Sequence, residues 1–157
     1  MKRLTAQEVS PRHGQAAGLV SRGAAALVDL GVVWLISAAI AFSLTLVQSV
    51  LDDDVRGLDL NGIAAAAAGS IVLLLYLWFS WAAPGRTVGQ LLLGLRVRRV
   101  GGGRVGPLRA LARAWMATYV FGLLLLVPLS PRGAAGWDVV LGTEVVYDWE
   151  KSVPRPL

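Results

Sequence analysis

The chain is predicted to be an all-α membrane protein: three transmembrane helices, an interfacial amphipathic helix and short β segments outside the bilayer. Three observations predict this. Residues 30–51, 60–85 and 114–131 carry no charge over 22, 26 and 18 residues, against the about 17–25 residues that cross a hydrocarbon core. Hydrophobic residues make up 55% of the 157 at a mean hydropathy of +0.61, beyond the need of a soluble core. The charges, finally, are sorted by segment. Eight arginines and no acid lie between Asp59 and Asp138, whereas 51–59 holds four acids against Arg56. Basic residues are retained on the cytoplasmic side of a membrane. The N-terminus and the 85–113 connection are therefore expected in the cytoplasm and 52–59 outside. Thirteen arginines against two lysines, with abundant alanine and glycine, suggest a GC-rich bacterial genome and a multi-pass protein of the bacterial inner (plasma) membrane.

Taken in order, 1–21 reads as a polar, basic segment interrupted by Pro11 and Gly14, with a capping-box pattern at Thr5 and Glu8. The transmembrane domain occupies 22–147 and a tail 148–157. The first span is expected at about 23–50. It is longer than the 7–15-residue apolar core of a signal peptide and starts too late for one. The second, about 62–83, stops at Pro84-Gly85. Tyr76, Trp78, Phe79 and Trp81 crowd its end like an aromatic belt, and Trp115 marks a similar level before the third span. Residues 87–97 are too short to cross and suit a helix lying in the interface. From 95 to 100 apolar and basic residues alternate, the period of a strand. The glycines at 101–103 then make a turn, and a small hairpin is expected. The spacing of Gly101, Gly103 and Gly106 matches a dinucleotide-binding pattern, but Pro107 follows and no βαβ unit surrounds it, so we read a turn. The third span, about 110–129, has Arg109 and Arg113 at its start and Pro128 and Pro131 towards its far end. A turn at Gly136 precedes a strand from about Thr143. Three full crossings place that strand outside; pairing with 95–100 would put it inside and make the third run re-entrant. We expect the former.

Chemistry is constrained by what is missing. There is no cysteine and one histidine, His13, which leaves no thiolate, iron–sulfur or Cys-based zinc chemistry and no Ser–His–Asp arrangement. No catalytic residue, metal ligand or cofactor is assigned. A net charge of +5 would suggest nucleic acid in a soluble protein; here positive-inside retention accounts for it, and no nucleic-acid partner is expected.

Asp29 is the charge that needs a reason. It lies roughly 9 Å into the first helix, counted from Gly23 at 1.5 Å per residue. A lone carboxylate at such depth costs a few kcal/mol, so it must face protein. Arg22 shares its helix face, and Arg113 is the interhelical partner if the first and third spans pack. The carboxylate either carries a proton or cation or fixes helix register in a buried ion pair. Asp138 either caps a short helix or pairs with an arginine of the basic connection. Gly85 suits the turn out of the second span, and Gly89 permits close helix approach.

These residues fall into blocks: Arg22 with Asp29, Gly85-Arg-Thr-Val-Gly89 with Gly94-Leu-Arg-Val97, and Asp138-Val-Val-Leu-Gly-Thr143. In this order they resemble the RDD family over about 16–147. That family is named for one arginine and two aspartates, which match Arg22, Asp29 and Asp138. Trp137 departs from the residue expected beside the aspartate. The resemblance implies a bacterial membrane protein of about three spans; cation/proton antiport is proposed for some members, while others are small components of larger assemblies. We expect a non-enzymatic accessory or assembly subunit of a larger membrane complex, respiratory or envelope-export, or a homo-oligomer. The alternatives are a cation/proton antiporter using Asp29, or a module binding anionic lipid headgroups through Arg96, Arg98, Arg99, Arg104 and Arg109. A basic residue near an anionic surface gains about 1 kcal/mol.

Overall fold

The computed structural model describes residues 14–51, 62–120 and 135–148. Helix α1 (Leu19–Leu51) has 33 residues, about 50 Å at 1.5 Å per residue. Helix α2 (Gly62–Ala82) has 21. Both are long and apolar enough to cross a membrane. Helix α1 begins four residues before the expected Gly23 and so takes Arg22 into its first turn. Its buried residues are Arg22, Ala25, Asp29 and Val33, spaced three, four and four apart as one stripe of a 3.6-residue helix. From Trp34 to Val50 nothing in α1 is buried, and α2 buries Leu77 and Trp81, one turn apart. Both helices are therefore anchored at one end, where the other elements gather.

Pro84 and Gly85 end the second helix as expected. Gly85 is left-handed (φ +76°), and Arg86 N–H donates to the Ser80 carbonyl at 3.0 Å. Helix α3 (Val88–Leu92) follows. Thr87 and Gln90 form a capping box at its start, each side chain accepting from the other's backbone N–H. The helix expected to lie in the interface is five residues long, shorter than the 87–97 expected, because left-handed Gly94 (φ +63°) turns the chain into strand β1 (Leu95–Arg99). Val88, Leu91 and Leu92 are exposed.

Strand β1 does not form a hairpin across the glycines. Its partner is β2 (Thr143–Tyr147), antiparallel from Leu95↔Tyr147 to Arg99↔Thr143. Residues after the turn could not serve, since Pro107 has no N–H for a ladder and instead opens helix α4 (Pro107–Tyr119). Leu95, Val97 and Val145 bury the sheet's inner face, while Ala16 bridges to Val146 on the far side of β2. Helix α5 (Gly136–Leu141) packs on α4: Trp137 and Ala135 meet Met116 and Ala117.

The pairing corrects the expected placement of the C-terminal strand. Of the third run only the first part, in α4, is described, and 121–134 lie outside the described residues. Both flanks of the run meet each other, and β2 is hydrogen-bonded to β1. Strand β2 therefore lies beside β1, not on the opposite side where three full crossings would place it. The Thr5–Glu8 pattern, the acidic 52–59, Pro128, Pro131 and the tail from 149 also lie outside the described residues.

Candidate functional site

Asp138 sits three residues after Ala135, in the first turn of α5, and is 1% exposed. One oxygen, Oδ2, accepts from Arg22 Nη1 of α1 at 2.5 Å and from the Ala135 N–H at 3.3 Å. The other, Oδ1, accepts from Arg113 Nη1 of α4 and from the Thr143 hydroxyl at 2.8 Å. Arg113 Nη1 also lies 2.6 Å from Thr143 Oγ1, and Arg22 Nε donates to the Ala17 carbonyl at 3.0 Å. One carboxylate thus ties α1, α4, α5 and β2 together. Both readings of Asp138 hold: it caps a short helix and it pairs with arginine. A buried pair of this kind is not in itself a large stabiliser, but removing one member leaves an uncompensated charge.

Asp29 is not paired with Arg22 or Arg113, which corrects the ion-pair expectation. Its Oδ1 accepts from the Tyr76 hydroxyl at 2.7 Å and the Gly89 N–H at 2.8 Å; its Oδ2 accepts from the Thr87 hydroxyl at 2.6 Å. A carboxylate on α1 is therefore stapled to the start of α3 and to α2. Val88 N–H donates to the Tyr76 oxygen at 3.0 Å, closing the cluster. Only glycine fits at position 89. A Cβ there would stand 2.1 Å from the Ala25 carbonyl oxygen and 3.0 Å from Asp29 Oδ1. Since Ala25 and Asp29 are one turn apart on α1, this close approach is what lets α3 present its N–H to the carboxylate.

The two clusters are joined. Arg113 Cζ lies 4.7 Å from the centre of the Trp81 ring, and Trp81 Nε1 donates to Gln90 Oε1 at 3.0 Å. The same oxygen accepts from Thr87 N–H at 3.1 Å. Trp81 is accordingly buried, not part of an exposed belt, and Trp78 donates to the Pro107 carbonyl at 3.0 Å. Phe79 and Trp115 are exposed as expected. Sequence reasoning missed Tyr76, Trp81, Thr87, Gln90 and Thr143 as site residues. The Thr87–Gln90 spacing is a capping-box signal that was there to be read; nothing local marks the other three.

A partly open cavity of about 130 Å³ lies between these clusters, with Arg22, Asp29, Gln90, Arg113 and Trp137 on its wall. Arg113 Nε and Trp137 Nε1 are buried and have no hydrogen-bond partner among the described residues. No group of three metal-ligating side chains occurs among the described residues.

The surface arginines divide into two sets. Arg96 pairs with Asp148 at 2.9 Å and Arg98 with Glu144 at 2.7 Å, both partly exposed and so of little energetic weight. Arg99, Arg104 and Arg109 are exposed without a carboxylate partner among the described residues. The structure brings Arg22, Arg113 and Asp138 together, holds Asp29 with Gly89 nearby, and leaves the headgroup candidates outside. Gly85 and Gly94 act as turns.

The sequence model of the RDD family matches residues 16–139, a span that contains Arg22, Asp29, Arg113 and Asp138. Comparison with curated proteins and with solved structures finds no match.

Proposed function

The chain belongs to the RDD family, and from that premise we propose that it is a non-enzymatic accessory or assembly subunit of a larger complex in the bacterial inner membrane, respiratory or envelope-export. Its N-terminus and 85–113 connection would face the cytoplasm. The observation that carries this reading is the bare outer part of α1. From Trp34 to Val50 the helix buries no residue, leaving Ser43, Thr45 and Ser49 exposed and Gln48 half-buried. The hydroxyls of Ser43, Thr45 and Ser49 bond back to carbonyls of their own helix, while Gln48 Oε1 has no partner among the described residues. Helices in lipid have no hydrophobic drive to associate; small residues and polar side chains hold them to other helices. Ala65–Ala68 of α2 are exposed, and Gly69 and Ser70 are only half-buried, which adds a stretch of small residues on the second helix.

Purification from native membranes in mild detergent, with mass spectrometry of what accompanies the chain, tests this. A stoichiometric companion is expected, and Ala66→Leu or Gly69→Leu should release it without unfolding the chain. A monomer with no companion would reject the reading. Orientation is tested separately. Single cysteines at Asp53 and Gly102 should differ in intact cells, with only position 53 reached by an impermeant thiol reagent.

A second reading, cation/proton antiport, draws on the cavity that reaches Asp29. It requires that Asp29→Asn abolish ion-driven proton flux in vesicles while the protein stays folded. A third, binding of anionic lipid, draws on exposed Arg99, Arg104 and Arg109 and predicts loss of vesicle binding when they are neutralised.

A further inference from the structure

We propose that the cavity bordered by α1, α2 and α4 seats one lipid acyl chain, beside the buried Arg22–Asp138–Arg113 unit. Its floor and its rim differ in kind. Arg22, Asp29, Trp81, Gln90, Arg113 and Trp137 line it and are buried. The charges among them are met within the protein: Arg22 and Arg113 by Asp138, and Asp29 by donors from Tyr76, Thr87 and Gly89. Gln90 Oε1 already accepts from Trp81 and Thr87. A charged ligand would find no free countercharge there. The lining residues that are not buried are Ala26, Leu30, Leu73 and Ala117, so the opening runs among aliphatic side chains.

The position of that opening and the size of the cavity name the occupant. Leu30 begins the charge-free run 30–51 and Leu73 lies inside the run 60–85, both in helices long and apolar enough to cross a membrane. Leu73 is nine residues from the end of α2 at Ala82, about 14 Å at 1.5 Å per residue. That is close to half of a hydrocarbon core of about 30 Å. A rim at this depth meets lipid chains. The cavity, about 130 Å³, is too small for another helix, which is about 10–12 Å across. It compares with an apolar void of about 150 Å³, which stays dry and admits a benzene ring, and so takes roughly six carbons of one alkyl chain. Left empty, the wall would forfeit its dispersion contacts. Headgroup charge plays no part in this selection, which separates the site from the surface arginines. A chain seated there keeps water from Asp29, so this inference and the antiport reading exclude one another.

The tryptophans on the wall report on the occupant. The full-length chain carrying Trp34→Phe, Trp115→Phe and Trp149→Phe keeps Trp78, Trp81 and Trp137, none of them freely exposed. It is placed in vesicles of dioleoyl phosphatidylcholine or of the same lipid brominated at its double bonds, since bromine on a chain quenches a nearby indole. Brominated chains should quench the fluorescence strongly, and acrylamide added to the water should not. Ala26→Leu and Ala117→Leu fill the cavity from α1 and from α4, and each should at least halve the quenching while the chain stays folded. Ala38→Leu, on the exposed part of α1, should leave it unchanged, because lipid around the protein is common to all variants. Quenching by acrylamide but not by brominated chains would give the cavity to water and overturn the proposal. So would quenching by brominated chains that neither filling variant reduces. The acrylamide comparison needs no filling variant, so it decides even if both fail to fold.

Discussion

Arg22 and Asp138 stand 116 positions apart in the chain and 2.5 Å apart in the fold. The first helix is thereby joined to the last, and Arg113 takes the carboxylate oxygen that Arg22 leaves. Two buried guanidiniums share one aspartate, so the three positions are not equivalent. Asp138→Ala strands both arginines and should cost about 3–5 kcal/mol, a large part of the 5–15 typical of a folded domain. Arg22→Met should cost less, because Arg113 and Thr143 still engage the carboxylate. Thermal unfolding in detergent gives the order.

Asp29 should behave differently from the ion pair that its position suggests. Asp29→Ala leaves the Gly89 N–H and two hydroxyls without their acceptor, and an unsatisfied buried donor costs about 1–3 kcal/mol. Asp29→Asn keeps an oxygen for Tyr76 and Gly89, and its amide can donate to Thr87 Oγ1. It should therefore melt closer to wild type, and hydrogen exchange at the Gly89 amide should rise sharply only in the alanine variant.

Glycine at 89 is a packing requirement, and the contrast with Gly31 makes that measurable. Gly89→Ala drives a methyl into the Ala25 carbonyl; overpacking of this kind costs about 1–3 kcal/mol. Gly31, on the same α1 helix, has nothing within 4 Å, and Gly31→Ala should be neutral or stabilising by up to about 1 kcal/mol. The two melting temperatures should move in opposite directions.

The sheet gives a fourth test. Arg98 and Glu144 are directly opposed, and the chain has no cysteine of its own. Cysteines at 98 and 144 should cross-link under mild oxidation, whereas 98 with 139 should not. Single cysteines at 102 and 144 should also label from the same side of the membrane. Labelling from opposite sides would restore the three-crossing topology.

Much of this architecture is written in local sequence, and the exceptions have a common cause. The two long apolar runs, the stop at Pro84-Gly85, the alternation in 95–99 and the strand from Thr143 are each set by neighbouring residues, and each lies where periodicity puts it. What periodicity does not carry is pairing. Nothing near Leu95 says that its partner is Tyr147 rather than a residue just past the glycines, and the third run is apolar whether it crosses or returns. The site follows the same division. Arg22, Asp29 and Asp138 stand out as charges in apolar surroundings, but which of them meet depends on the sheet. Once β2 is drawn to β1, Asp138 comes to Arg113, and Asp29 is left to Tyr76, Thr87 and Gly89. Tyr76 and Trp81 look like interface aromatics because their hydrogen-bonding ends are invisible in sequence.

The central claim is that Arg22 and Asp138 form one buried unit with Arg113. A double-mutant cycle of Arg22→Met and Asp138→Asn, followed by unfolding in detergent, tests it most directly. Removing Asp138 strands two arginines in the wild-type background but only one when Arg22 is already gone. The double variant should therefore be less destabilised than the sum of the singles, by about 1–3 kcal/mol. Additivity within about 0.5 kcal/mol, the behaviour of independent sites, would contradict the account.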